Sequence, residues 1–255
     1  MVRGLYTAGL GMMTQLNRLD VYSNNIANSA TTSYKKDSVI TQSFSEELMK
    51  RLDDPDKNHM THSVTVGNMR LGVFVDVIVT DYSSGVFERT DDPLDFAISG
   101  DGFFNVAIPT EGGQVIRYTR DGSFETRDGI LTTRAGFPVL GQNGPITLGD
   151  GDMFVTDDGE IYINNEYVDR LIITTFEDNS TLRKYKDNFF NTTEDSVITG
   201  NTGKVRQGGL EASNANNVRD MVDVITVNRQ YESNQRVISV IDQTLGKAVN
   251  EVAHR

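Results

Sequence analysis

The chain has 255 residues, no cysteine, no tryptophan and a formal net charge of -12. That length holds one large domain or two modest ones, and the missing cysteines exclude disulfides and thiolate metal sites. The acid is concentrated in the middle, since residues 1–36 carry four basic side chains against one acidic and residues 204–255 carry seven against six; a partner nucleic acid calls for a basic stripe that such a chain lacks.

In chain order, the first element is an amphipathic helix over residues 3 to about 28. Leu5, Met12, Leu19 and Ile26 recur every seven residues, with Ala8 and Leu16 widening the stripe. The helix stops where Asn24, Asn25 and Asn28 lead into Ser29-Ala30-Thr31-Thr32-Ser33, residues whose side chains compete for the backbone. Gly9, Gly11, Asn17, Arg18 and Asp20 interrupt the apolar run, so it does not read as a cleaved secretory signal.

Residues 37–70 read as a linker. Phe44, Leu48 and Met49 predict a short helix within it, broken at Asp53-Asp54-Pro55-Asp56. From Leu71 the period becomes two, with Leu71, Val73, Val75 and Val77 on one side, and turn signals such as Asp121-Gly122, Asp128-Gly129 and Asn143-Gly144 follow at short intervals. Residues 71–205 are therefore predicted to form an all-β domain.

The chain ends in a second long helix. Val224, Tyr231, Ile238, Leu245 and Val252 recur every seven residues, with Val227, Ile241 and Ala248 three positions after members of that series and Asn234 among them as a register-setting residue. Ser213 or Asn214 is placed to cap it, and Asp220 and Asp223 favour its N-terminal end. The layout is residues 1–36, an assembly helix with its junction; 37–70, a linker; 71–205, a β domain; and 206–255, a second assembly helix. The fold class is α+β, with coiled-coil-forming helices that pair into one discontinuous domain.

Motifs for catalysis are weak. His59 and His62 stand three apart without a third ligand beside them, and His254 is a tail residue. Asp150-Gly151-Asp152 with Asp157 has the wrong spacing for a calcium loop, and Gly200-Asn201-Thr202-Gly203-Lys204 lacks the hydroxyl residue that must follow the lysine of a phosphate loop. No Gly-x-Ser-x-Gly elbow occurs, and the paired acids Asp91-Asp92 and Asp157-Asp158 sit in turn-like stretches. No catalytic, cofactor or metal residue is assigned. The residues assigned to assembly are Leu5, Met12, Leu19, Asn24, Asn25, Ile26, Asn28, Val224, Tyr231, Ile238, Leu245 and Val252, because apolar seams at opposite ends of a chain find cover only against each other or against other copies. A binding module whose helices pack as an ordinary core is the alternative.

Five ordered motifs carry a resemblance. The run Asn24 to Lys35 resembles an Asn-Asn-Leu-Ala-Asn-x-x-Thr-x-Gly-Phe/Tyr-Lys signature, and Asp92 to Phe104, Tyr118 to Phe124, Gly136 to Gly141, and Gln207 to Asn214 with Arg229-Gln230-Tyr231-Glu232 are similar to later ones. The chain is identified on these as resembling the bacterial flagellar hook–basal-body rod proteins, with the distal, proximal or a related rod subunit left open. Ser33 stands where the signature has Gly, and Ala215-Asn216-Asn217 replaces Val-Asn-Val. The resemblance implies a non-enzymatic subunit of a tubular axial polymer in the basal body, outside the cytoplasm after passage through the flagellar type III export apparatus. Its partners would be copies of itself and other rod and hook proteins, with no nucleic acid, membrane insertion or cofactor. A monomer is then expected to have mobile ends around a folded middle near residues 70 to 205.

Overall fold

The computed structural model describes residues 2–52, 63–110, 113–149, 151–186, 188–200 and 203–253. His59, His62 and His254 lie outside the described residues. The chain is α+β, with helix α1 (Val2–Ala27) and helix α2 (Asn217–Ala253) at its ends and strands between them. It divides into two compact units, one formed by Met1–Ile26, Asp37–Val79 and Asn217–Arg255, the other by Ala27–Lys36 and Thr80–Asn216.

The first unit combines both helices with strands β1 (Asp37–Ser43), β2 (Glu47–Leu52), β3 (Ser63–Met69) and β4 (Val73–Thr80). β1 pairs with β4, and β2 pairs antiparallel with β3. The stretch expected to link two domains through a short helix thus carries three strands. Side chains along β1 alternate between half-buried and exposed, but the half-buried set includes Thr41 and Ser43, so its two-residue period is not a hydrophobic one. That is why Phe44, Leu48 and Met49 pointed to a helix instead.

α1 lies over this sheet by way of its hydroxyls. The Thr14 Oγ1 is 2.9 Å from the Leu10 carbonyl and 3.1 Å from that of Val73, the Thr7 hydroxyl donates to Leu71 O at 3.2 Å, and Arg18 donates to Thr41 Oγ1 at 3.2 Å. α2 runs close to another side of α1. A Cβ built on Gly11 would stand 2.9 Å from Asn234 Nδ2, and one on Gly4 would stand 3.2 Å from Ile241 Cδ1. Two glycines that weaken an isolated helix thus leave room for its neighbour.

The second unit is β-rich. Its largest sheet has six strands in the order Arg183–Tyr185, Phe189–Asn191, Gly113–Thr119, Phe103–Thr110, Ile173–Phe176 and Ile198–Gly200. The first five residues of Phe103–Thr110 are buried on both faces, and the alternation of a strand sends its neighbouring phenylalanines to different clusters. Phe104 joins Phe96, Phe124, Leu131 and Ile161, whereas Phe103 joins Tyr118, Phe176, Leu182 and Phe190. Full burial of such side chains at about 1.5–3 kcal/mol each makes these clusters the main support of the unit.

Two further pairings use the chain's later part. Lys204–Gln207 runs antiparallel to Phe96–Ser99, and Gly209–Glu211 to Phe87–Arg89. The unit therefore extends beyond the expected limits of 71–205, taking in the segment before β1 and reaching the start of α2 while yielding residues 71–79 to the first unit.

Candidate assembly surfaces

α2 starts at Asn217, later than its expected caps. Ser213 Oγ accepts from Ala215 N in a local turn, and the Asn214 side chain is committed elsewhere, accepting from Lys36 N at 2.8 Å and donating to Asp81 O at 2.8 Å. Along α2 the assigned residues Val224, Tyr231, Ile238 and Leu245 are half-buried, with Val227 fully buried and Asn234 and Ile241 half-buried between them. At 100° per residue these share one side of the helix. Val252 lies in the helix, but its side chain is outside the described residues.

An exposed apolar patch on α2 lies outside the seven-residue series. Val218 is 75%, Val222 57% and Ile225 54% exposed about half a turn from the seam, and Val240, 61% exposed, lies on the same side beyond the exposed Glu232–Arg236 pair. The sequence signal was present as apolar residues outside the seven-residue series, but periodicity alone does not say which face is covered.

On α1 the covered positions differ from the assigned ones. Ala8, Thr14, Val21 and Asn25 are buried, whereas Met12, Leu19 and Ile26 are half-buried and Leu5 is exposed beside Tyr6, Met13 and Leu16. Small and polar residues line the inner side because strands and a second helix approach there, leaving the bulkier stripe at the edge. Tyr22 faces the start of α2: burial first, then the Asp223 carboxylate, pushes its phenol pKa up.

Of the junction asparagines, Asn24 is exposed, while Asn25 is 1% exposed and holds one residue at both ends, donating to Asp37 O at 2.8 Å and accepting from Asp37 N at 3.0 Å. Asn28 belongs to the second unit, where its carbonyl and side chain take Thr31 N–H and hydroxyl in a turn. Ser33 adopts φ of +55° in place of the expected glycine, and its N–H donates to Glu211 O at 2.7 Å. The left-handed turn is kept with a residue less suited to it.

Around that turn the second unit buries three charges. Lys35 Nζ lies 2.6 Å from Glu211 Oε1 and donates to Ser83 O at 2.8 Å. Arg120 lies 3.3 Å from Glu211 Oε2, donates to Gly100 O at 2.7 Å and stacks over Phe103. Gly85 N donates to Glu211 Oε1, and a Cβ at Gly85 would meet Ala212 O at 1.9 Å, so the backbone approach demands glycine. Burial lowers the Lys35 pKa; the Glu211 carboxylate opposes that and Arg120 adds to it. All three charged residues lie in motifs recognised in the sequence, but separations of 176 and 91 residues gave no local sign of their meeting.

Among the described residues no group of three or more His, Asp or Glu side chains is gathered for a metal. No described helix is long and apolar enough to cross a membrane. Three family descriptions match consecutive parts of the chain: "Flagella basal body rod protein" at residues 5–35, "Flagellar hook protein FlgE/F/G D1 domain" at 97–172, and "Flagellar basal body rod FlgEFG protein C-terminal" at 206–251. The flagellar basal-body rod protein FlgG of Buchnera aphidicola subsp. Schizaphis graminum is 31% identical, covering 97% of this chain and 98% of its own. The chain belongs to the flagellar basal-body rod protein family. Rod protein FlgF of Caulobacter vibrioides is 33% identical over 96% of this chain and 94% of its own, and the hook-basal body complex protein FlhO of Bacillus subtilis is 26% identical over 99% of each. The family is one of structural proteins rather than enzymes.

Proposed function

We propose that this chain is a structural subunit of the bacterial flagellar basal-body rod that self-assembles, with copies of itself and other axial proteins, into a tubular polymer transmitting torque and conducting export. The helix-bearing unit makes the copy-to-copy contacts and the acidic β-rich unit faces outward. The observation that carries this reading is the set of exposed apolar residues on the helices, Val218, Val222 and Ile225 with Val240 further along α2, together with Leu5, Tyr6, Met13 and Leu16 on α1. A helix apolar on two sides has one side for its own chain and another for a neighbour. The inner seam of Val224, Tyr231, Ile238 and Leu245 then holds the two helices together in coiled-coil fashion, and the outer faces give an open-ended, heterologous contact.

In this reading the subunit works outside the cytoplasm, reached through the flagellar export apparatus without a cleaved signal. The test is imaging of basal bodies from cells whose only copy of the chain carries a small tag at an exposed β turn such as Asn143-Gly144. Label along the rod supports the reading; label confined to another structure, or intact rods in cells lacking the chain, contradicts it.

A further inference from the structure

The second unit buries two cations whose directly bonded carboxylate comes from its C-terminal segment, with Asp81 adding an attraction to Lys35. Arg120 follows the strand Gly113–Thr119 in the six-stranded sheet and is 1% exposed; Lys35 is likewise 1% exposed. Their shared counter-charge, Glu211, is 3% exposed and sits on Gly209–Glu211, one of the last strands of the chain. Most contacts of the core can form earlier. Phe103–Thr110 pairs with Gly113–Thr119 as a hairpin and with Ile173–Phe176, and neither pairing uses a residue beyond 176. Sheet closure nevertheless takes Arg120 and Lys35 out of water, and a buried cation without a partner carries a large desolvation penalty. Arg120 Nε has no hydrogen-bond partner, so its guanidinium relies on Glu211 and Gly100 O.

We propose that Lys35, Arg120 and Glu211 form a closure gate: the β-rich unit cannot bury its central strands until Gly209–Glu211 arrives with its carboxylate, so the unit closes only on a chain whose C-terminal part is already present. The segment is held once it arrives, because Ser33 N donates to Glu211 O, Gly85 N to Glu211 Oε1, and the strand pairs with Phe87–Arg89. The gate stands on the β-rich unit alone and does not require the rod reading. For a rod subunit delivered as an extended chain, it would prevent a folded plug from forming behind the leading residues.

Two measurements on the full-length protein test the gate. In refolding followed by pulsed hydrogen exchange, amides of Phe103–Thr110 and Gly209–Glu211 gain protection in the same phase; protection of Phe103–Thr110 in a resolved earlier phase overturns the proposal. In thermal unfolding, Glu211→Gln leaves two buried cations and lowers the midpoint of the β-rich unit by about 10 °C. Lys35→Met leaves the balanced Arg120–Glu211 pair and lowers it by less than half as much, and adding Lys35→Met to Glu211→Gln recovers part of the loss. Losses that add in the double variant refute the shared counter-charge, whatever the refolding order.

Discussion

The two units differ in how much apolar core each builds for itself. The β-rich unit builds its core from fully buried apolar side chains, Phe96, Phe104, Leu131 and Ile161 among them, while leaving Val86, Phe154 and Val197 exposed, and it buries Asp95 and Asp169 as well as the Lys35–Arg120–Glu211 cluster. The helix-bearing unit leaves Val218, Val222, Ile225 and Val240 in water and covers Thr14 and Asn25 instead. In the proposed reading the exposed apolar residues on the helices of the helix-bearing unit mark the joint in an assembly, whereas the β-rich unit is held by its own two aromatic and aliphatic clusters.

That contrast can be broken most severely in the β core. Phe104→Ala should cost about 3–5 kcal/mol and lower the unfolding transition of the β-rich unit, while the helical signal at 222 nm persists to its original temperature. A single shared transition that falls for both signals would mean the units are not independently stable. A smaller effect is expected from Asn25→Ala, which removes both bonds to Asp37 and should destabilise the helix-bearing unit by about 1–3 kcal/mol, leaving the β transition in place.

Weaker still is an alkaline effect from the buried lysine. The folded-state Lys35 pKa lies below its usual 10.5, so between the two values the unfolded chain binds the proton more tightly and the contribution of this residue to stability rises with pH. Glu211, Arg120, Asp81, Lys36 and Lys184 surround it, and Lys35→Met removes only its own titration. The unfolding midpoint of the wild type minus that of the variant should therefore increase as pH is raised toward 10.5; a flat or falling difference would show that Lys35 is not held in a cation-disfavouring site.

Much of this was readable in advance from local patterns. The seven-residue series at each end located α1 and α2 to within a residue or a few, and Asp-Gly and Asn-Gly turns marked the β region. Five ordered motifs carry the resemblance to the rod family in the sequence itself. What escaped the sequence had no local period. β1 turns Thr41 and Ser43 inward, so a strand was read as part of a linker, and Glu211 meets Lys35 across 176 residues. Heptad spacing also picked out residues that are half-buried along α2 but not the exposed apolar ones outside the series, because periodicity reports that a stripe exists and cannot say how many sides of the helix are covered.

The smallest expected change in stability belongs to the most consequential substitution. Val222→Asp with Val240→Asp changes exposed positions on α2 and should alter the unfolding of either unit by no more than about 0.5 kcal/mol per site. Sedimentation velocity of the full-length wild type and of this double variant, over a rising concentration series, tests directly whether the outer face joins copies together. Concentration-dependent growth of the wild type into long species, with the variant remaining a folded monomer, is the predicted result; equal growth of both would contradict it.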